Sequence, residues 1–252
     1  MLPVLQIGPL AVQTPLLLSL LGLWLAMTVG ARLAKRFEME SQALDDMVLI
    51  SILAGLIGGR LLYILRFPKA FLENPTGALS INPELFLPTG GLLIGGIAFL
   101  ILVQRRKLPL LRVLDALSIP AAIFAVFLGL SHLASGSFYG IATDLPIGIE
   151  LWGASRFPFQ ILEILAAGLA AGLTWRRLAS SSQQTEEGTD GDLFLYWAAV
   201  TALVWIVIDP LRADAALLFG RVHSTQLGAL LVLAMIFWFW NRGGHPVMEK
   251  EI

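Results

Sequence analysis

The chain has 252 residues, of which 57% are hydrophobic and only 14% are charged, and its formal net charge is −1. A soluble domain has about 45–50% apolar and about 25% charged residues, so this composition excludes an ordinary soluble protein. The sequence contains no cysteine, which excludes disulfides, zinc–thiolate sites and thiol chemistry. We expect no metal site from three scattered histidines, no cofactor, and no nucleic-acid partner, because no basic block is present.

Apolar stretches predict the transmembrane helices, because a bilayer core needs about 20 apolar residues per helix. Seven stretches qualify, at roughly residues 15–34, 45–66, 86–104, 113–134, 157–178, 192–209 and 224–241. The first residues lack the positive region and small-residue cleavage site of a signal peptide. The sequence therefore predicts an all-α integral membrane protein with seven transmembrane helices, folded as one domain over residues 1–252.

Basic residues predict the orientation, because cytoplasmic loops are rich in Lys and Arg. The loops after the first, third, fifth and seventh stretches hold eleven of the seventeen Lys and Arg residues. We therefore expect the N-terminus outside and the C-terminus in the cytoplasm. The glycines of GLIGGR and GGLLIGG, within residues 55–60 and 90–96, favour close helix packing, and close approach of a lipid to the backbone is the alternative.

Four ionisable residues lie inside apolar stretches, namely Arg60, His132, Glu163 and Asp209. A charge at bilayer depth costs at least about 2.5–3.5 kcal/mol on insertion scales, so it faces protein or a wet cavity. With the orientation above, all four fall in the outer half of the membrane. We expect them to line a polar cavity that opens outward.

The longest outer segment, Ser135 to Pro158, is rich in glycine and aromatic residues and has few charges. Such a segment indicates a loop that lies in the membrane interface or dips back, rather than a free linker.

Five motifs, in this order and spacing, resemble the bacterial prolipoprotein diacylglyceryl transferases: IGPLAV, LDDMVLISILAGLIGGRLLYIL, PTGGLLIGG, GSFYGIATDLPIGI and RFPFQILE. The resemblance covers nearly the whole chain. It implies seven transmembrane helices in the bacterial cytoplasmic (inner) membrane, with a small periplasmic head, residues 135–157, between helices four and five. Members of the family transfer the diacylglyceryl group of phosphatidylglycerol to the lipobox cysteine of a lipoprotein precursor.

The sequence departs from the family at its catalytic positions. A family histidine is matched by Thr89, two family arginines by Gly129 and Trp205, and a family asparagine by His132. The matching residues are Arg60, Asp144, Gln160, Glu163 and, conservatively, Asp209.

The candidate site residues follow from these matches and from their chemistry. Arginine holds phosphate oxygens in a planar fork, so Arg60, Arg156 and Arg212 are the predicted lipid-phosphate ligands. Arg60 has an alternative role as the ion-pair partner of Glu163 or Asp209. A general base is the predicted catalytic role of His132, and a hydrogen bond to a loop carbonyl is the alternative. A structural polar cluster is predicted for Asp144, Gln160, Glu163 and Asp209.

Two functions remain open from the sequence. The preferred interpretation is a catalytically degenerate member that binds phospholipid or serves as a structural subunit beside other membrane proteins, because catalytic groups act together and several are replaced. The alternative is an active transferase that uses phosphatidylglycerol and a lipoprotein precursor. It would bind phosphate through Arg60 and one of Arg156, Arg212 or Arg221, with His132 as the base.

Overall fold

A computed structural model describes residues 4–7, 10–80, 85–181, 190–218 and 220–243, and most of these residues are helical. The α-helices are α1 (Thr14–Ala34), α2 (Ser41–Arg66), α3 (Pro68–Glu73), α4 (Pro88–Arg105), α5 (Leu110–Ser135), α6 (Phe159–Ser181), α7 (Asp192–Ile208) and α8 (Ser224–Gly243). A helix covers each of the seven apolar stretches. Only the short helix α3 was not predicted.

Within the described ranges, five helical segments are long and apolar enough to cross a membrane: Thr14–Phe37, Ser41–Arg66, Pro88–Arg105, Leu110–Ser135 and Asp192–Leu211. Helix α6 falls outside this set, and it carries Gln160, Glu163 and two arginines. The apolar part of α8 is shorter, Ser224–Trp238. The chain is therefore an all-α membrane protein in class, while the count of seven spans stays a prediction.

The described residues form three antiparallel hairpins, one before α1, one between α5 and α6 and one between α7 and α8, and the sequence did not predict them. They pair β1 (Val4–Ile7) with β2 (Leu10–Gln13), β3 (Ile149–Leu151) with β4 (Ala154–Arg156), and β5 (Leu217–Leu218) with β6 (Val222–His223). Strands of two to four residues are too short for an alternating pattern to be recognised in the sequence.

The chain divides into two compact units, one formed by Gly30–Ala116 and the other by Met1–Val29 with Leu117–Ile252. The prediction of one transmembrane domain over residues 1–252 stays a prediction.

Glycines bring α2 and α4 together within the Gly30–Ala116 unit. A Cβ atom on Gly91 would lie 2.8 Å from the carbonyl oxygen of Gly55, and a Cβ on Gly55 would lie 2.9 Å from that of Gly91. One turn further, a Cβ on Gly95 would lie 2.9 Å from the carbonyl oxygen of Ser51. The two backbones are in direct contact, which confirms that these glycines serve close helix packing.

In the other unit, the last turns of α5 contact both α1 and α6. Toward α1, the hydroxyl of Ser131 donates to the carbonyl oxygen of Pro15 at 2.9 Å, and Ser19 donates to Ser131 at 3.2 Å. Toward α6, a Cβ on Gly129 would lie 2.9 Å from Cγ1 of Ile164. These contacts fix the end of α5, and therefore His132, against the start of α6.

We predict that Gly91→Ala lowers the free energy of unfolding by roughly 1–3 kcal/mol, because the added methyl group overpacks the contact with Gly55. The measurement is a denaturation curve of the purified protein in mild detergent. Gly96→Ala is the matched control on the same helix, since a Cβ at Gly96 meets nothing within 4 Å. Alanine is the better helix former, so we expect no loss from the control variant. Equal effects of the two substitutions would contradict the packing account.

Candidate functional site

Residues 136–158 contain the β3–β4 hairpin, and isolated bridges pair Gly140 with Arg212 and Ala142 with Arg156. Ile141 lies between these bridges: its N–H donates to the carbonyl oxygen of Leu211, and its own carbonyl accepts a hydrogen bond from the N–H of Phe157, both at 2.9 Å. Gly140 stands next to it because a Cβ there would collide with the carbonyl oxygen of Phe157. The predicted head, residues 135–157, is thus an ordered segment, and its periplasmic location stays a prediction.

The first feature of the site is a pair between His132 and Glu163. His132 lies in the last turn of α5, and its Nδ1 atom is 2.9 and 3.0 Å from the two carboxylate oxygens of Glu163 on α6. The two side chains are 14% and 7% exposed. A carboxylate only accepts, so Nδ1 carries the proton, and in the neutral form of the ring Nε2 is the proton acceptor. Within the described part of the chain, Nε2 has no hydrogen-bond partner.

The partner of His132 is therefore a carboxylate, whereas the alternative prediction gave it a loop carbonyl. This pairing joins two of the four ionisable residues that the sequence placed inside apolar stretches. It also places a side chain capable of general base catalysis beside the segment 136–158.

Phe138 separates His132 from Arg212. The imidazole stacks on the Phe138 ring with centroids 3.8 Å apart and an angle of 6° between the planes. The guanidinium carbon of Arg212 lies 3.7 Å from the same centroid. Two planar groups so close to one centroid would overlap on a single face, so they lie on opposite faces and Phe138 is the middle layer of a stack.

An unusual backbone conformation puts Phe138 in this position. Its φ angle is +53°, a left-handed value that a bulky residue rarely adopts. The conformation is held by a hydrogen bond of 2.8 Å from the N–H of Phe138 to Oδ2 of Asp214. No sequence pattern indicated this stack, because it depends on residues from three separate segments.

A second histidine–carboxylate pair lies next to the stack. Asp209, which is fully buried, accepts a hydrogen bond of 2.7 Å from Nδ1 of His223. Its other oxygen, Oδ1, lies 3.9 Å from Nη1 of Arg212 and has no hydrogen-bond partner in the described residues. His223 was not predicted. Its position directly before an apolar helix, which mirrors His132 at the end of one, was a usable signal.

The three arginines predicted to bind phosphate have different surroundings. Arg212 is 10% exposed and donates from Nε to Oδ1 of Asp214 at 2.5 Å. Arg156 donates from Nε to the carbonyl oxygen of Leu151 at 3.1 Å, and its guanidinium lies 4.6 Å above the ring of Tyr139. Among the described residues, neither Nη atom of Arg156 has a hydrogen-bond partner. Arg156 is therefore better placed than Arg212 to receive an anion.

Arg60 lies in the Gly30–Ala116 unit and contacts the connection between α2 and α4. Its Nη1 atom donates to the carbonyl oxygen of Leu85 at 2.7 Å, and Nη2 donates to that of Gly77. The rings of Phe71 and Phe86 lie 5.6 and 5.4 Å from its guanidinium. These contacts hold the connection in place. A phosphate contact of Arg60, its pairing with Glu163 or Asp209, and a cavity common to all four ionisable residues stay predictions.

The predicted polar cluster forms only in part. Gln160 is 1% exposed and donates to the carbonyl oxygen of Ser137 at 2.9 Å, which ties α6 to the segment 136–158. Glu163 and Asp209 are buried as expected. Asp144 is exposed, and no hydrogen bond or ion pair links its side chain to another described residue. The structure therefore does not bring Asp144 into the cluster.

Two of the replaced family positions serve packing. Gly129 faces Ile164 with no room for a longer side chain in its present surroundings, and Trp205 packs against Phe159 with ring centroids 6.2 Å apart. Thr89 is exposed at the start of α4, beside an apolar groove that includes Leu92 and Leu93.

We predict that Asp209→Asn destabilises the protein by roughly 3–5 kcal/mol, because it removes a fully buried carboxylate that accepts a hydrogen bond from His223 and faces Arg212. The measurement is the unfolding midpoint of the purified protein in detergent. Asp144→Asn is the matched control, since Asp144 is exposed, and we expect it to leave the midpoint unchanged. A similar midpoint for both variants would show that the Asp209 charge contributes nothing to stability.

Comparison with known proteins identifies the family. The model of the family described as prolipoprotein diacylglyceryl transferase matches residues 3–241. A relative from Thermus thermophilus is 34% identical, covering 94% of this chain and 73% of the relative. Relatives from Solidesulfovibrio magneticus and Streptococcus pyogenes serotype M1 are 28% and 25% identical; each alignment covers 94% of this chain, and 92% and 93% of the relative.

All three relatives are named phosphatidylglycerol–prolipoprotein diacylglyceryl transferase. These names support the transferase alternative better than the preferred interpretation of a degenerate member, for which the comparisons give no support. The resemblance seen in the sequence motifs is confirmed over almost the full length. The chain belongs to the prolipoprotein diacylglyceryl transferase family.

Proposed function

We propose that this protein is an active transferase that moves the diacylglyceryl group of phosphatidylglycerol to the cysteine of a lipoprotein precursor. One observation carries the proposal beyond family membership. An imidazole that a carboxylate orients, and an arginine whose terminal nitrogens have no hydrogen-bond partner among the described residues, lie against two consecutive aromatic side chains. His132 stacks on Phe138, and Arg156 lies over Tyr139. A base and a phosphate-binding cation are the two groups that this reaction needs from a protein.

The proposed setting is the bacterial inner membrane, with seven spans, the N-terminus outside and the segment 136–158 in the periplasm. Helix α6 has 23 residues and α8 has 20, so they extend about 34 and 30 Å, enough for a bilayer core. The polar residues Gln160 and Glu163 of α6 are directed at Ser137 and His132, so they need not face lipid. The distribution of basic residues supports the orientation.

The proposed reaction forms a thioether and breaks a phosphate ester. The sulfur of the acceptor cysteine attacks the glyceryl carbon that is bonded to phosphate oxygen, and glycerol phosphate leaves. The thiol proton passes to Nε2 of His132, and the carboxylate of Glu163 stabilises the imidazolium that results. The ring then releases this proton to the departing phosphate, which restores the neutral imidazole.

In this proposal Arg156 binds the phosphate through its two Nη atoms, because paired guanidinium donors match two phosphate oxygens. It would thereby supply the positive charge that the family has at the positions of Gly129 and Trp205. Arg212 acts as a positioning residue, since it holds the face of Phe138 opposite His132. Arg60 fixes the connection between α2 and α4 in its own unit.

We predict that the chain restores diacylglyceryl modification of lipoproteins in bacterial cells depleted of their own transferase. His132→Gln and Arg156→Ala should each lower the rate of modification by about 10²–10⁴-fold, the usual contribution of an acid–base group or of a charge-stabilising donor. The measurement is the mass shift of a reporter lipoprotein over time.

Arg66→Ala is the matched control, because Arg66 is an exposed arginine at the end of α2 on the same predicted side with no role in the proposed reaction, and it should keep the full rate. Membrane levels of every variant are compared by immunoblot. An absence of rescue at normal membrane levels would favour the degenerate, lipid-binding subunit. Full rescue by His132→Gln and Arg156→Ala would refute the roles given to these residues.

A further inference from the structure

The segment 136–158 carries four exposed apolar side chains that no described part of the chain covers. Ile141, Leu145, Ile147 and Trp152 are 43%, 54%, 56% and 68% exposed, and we call them the apolar edge. The transferase chemistry described above does not use them. Exposed apolar surface of this kind marks contacts with other molecules or with membranes.

Trp152 fixes the position of the apolar edge relative to the end of α5. Its indole Nε1 donates to the carbonyl oxygen of Gly136 at 3.2 Å, and Gly136 follows directly after α5. The hairpin turn between β3 and β4 presents the ring, with φ angles of +55° at Trp152 and +76° at Gly153. The indole is thus attached to the end of α5 while most of its surface stays open.

The end of α5 lies at the membrane surface by its length. Helix α5 has 26 residues and is apolar enough to span, so it extends about 39 Å against a hydrocarbon core of about 30 Å. A few ångströms at each end therefore lie in the headgroup layer. Tryptophan is enriched at that depth, because its ring is apolar and its N–H is polar.

We propose that the apolar edge inserts into the bilayer interface on the side where α5 ends, so that residues 136–158 lie on the lipid surface. The occupant of the edge is then the headgroup and upper acyl region of the bilayer. Two tethers keep the segment at this level: the bond from Trp152 to Gly136 and the bond from Gln160 to Ser137. The proposal does not depend on transferase activity.

Because the chain has no native cysteine, single-cysteine variants report one position without background. Ile147→Cys and Glu150→Cys, both exposed positions of the segment, are spin-labelled and placed in bilayers of phosphatidylcholine and phosphatidylglycerol. We expect the nitroxide at Ile147 to have a several-fold higher ratio of oxygen to nickel-chelate collisions than the nitroxide at Glu150. If the nickel chelate collides equally often with the two labels, the proposal is overturned.

A second measurement uses the native indole. The contribution of Trp152 is the difference in fluorescence between the native protein and Trp152→Phe, and it should be quenched most by lipids brominated near the headgroup. The contribution of Trp24, obtained in the same way from Trp24→Phe, should be quenched most by lipids brominated deep in the acyl chain. Trp24 is 61% exposed and lies in the middle of α1. Quenching of Trp152 by aqueous iodide but not by brominated lipid would overturn the proposal. If Trp152 is shielded from aqueous iodide only after a lipobox peptide is added, the proposal is also overturned, in favour of a contact with the peptide.

Discussion

A carboxylate buried among apolar helices is costly unless a donor or a positive group faces it, and the site around α5, α6 and α7 is organised by this constraint. Glu163 meets the imidazole of His132, and Asp209 meets that of His223. Each pair joins two separate elements of the fold, so satisfying the charge also fixes the position of a helix end. The same contacts that stabilise the fold therefore orient the groups proposed to carry the chemistry.

Phe138 joins the two pairs into one structure. Its ring lies between His132 and Arg212, and Arg212 is in turn balanced by Asp209 and Asp214. The left-handed backbone at Phe138 is maintained by the carboxylate of Asp214. Such a stack gives the imidazole a fixed plane as well as a fixed tautomer, which is what a general base needs to act on one particular proton.

The predictions made from the sequence succeeded where the physics is local. Apolar length gave the seven helical stretches, glycine spacing gave the contact of α2 with α4, and motif order gave the family. They were incomplete where one side chain has several possible partners. His132 was given a loop carbonyl as its alternative partner, His223 and Phe138 were not considered, and Asp144 was placed in a cluster that it does not join.

Sequence alone determined the membrane class, the helices and the buried charges, because hydrophobicity and helix length are properties of short contiguous segments. The tertiary structure decided which polar side chains come into contact with each other. The residues of the pair His132–Glu163 are 31 positions apart, and the pair His223–Asp209 spans a hairpin that no pattern revealed. These pairings depend on how the helices and the hairpin pack against each other, which the spacing of the residues along the sequence does not encode.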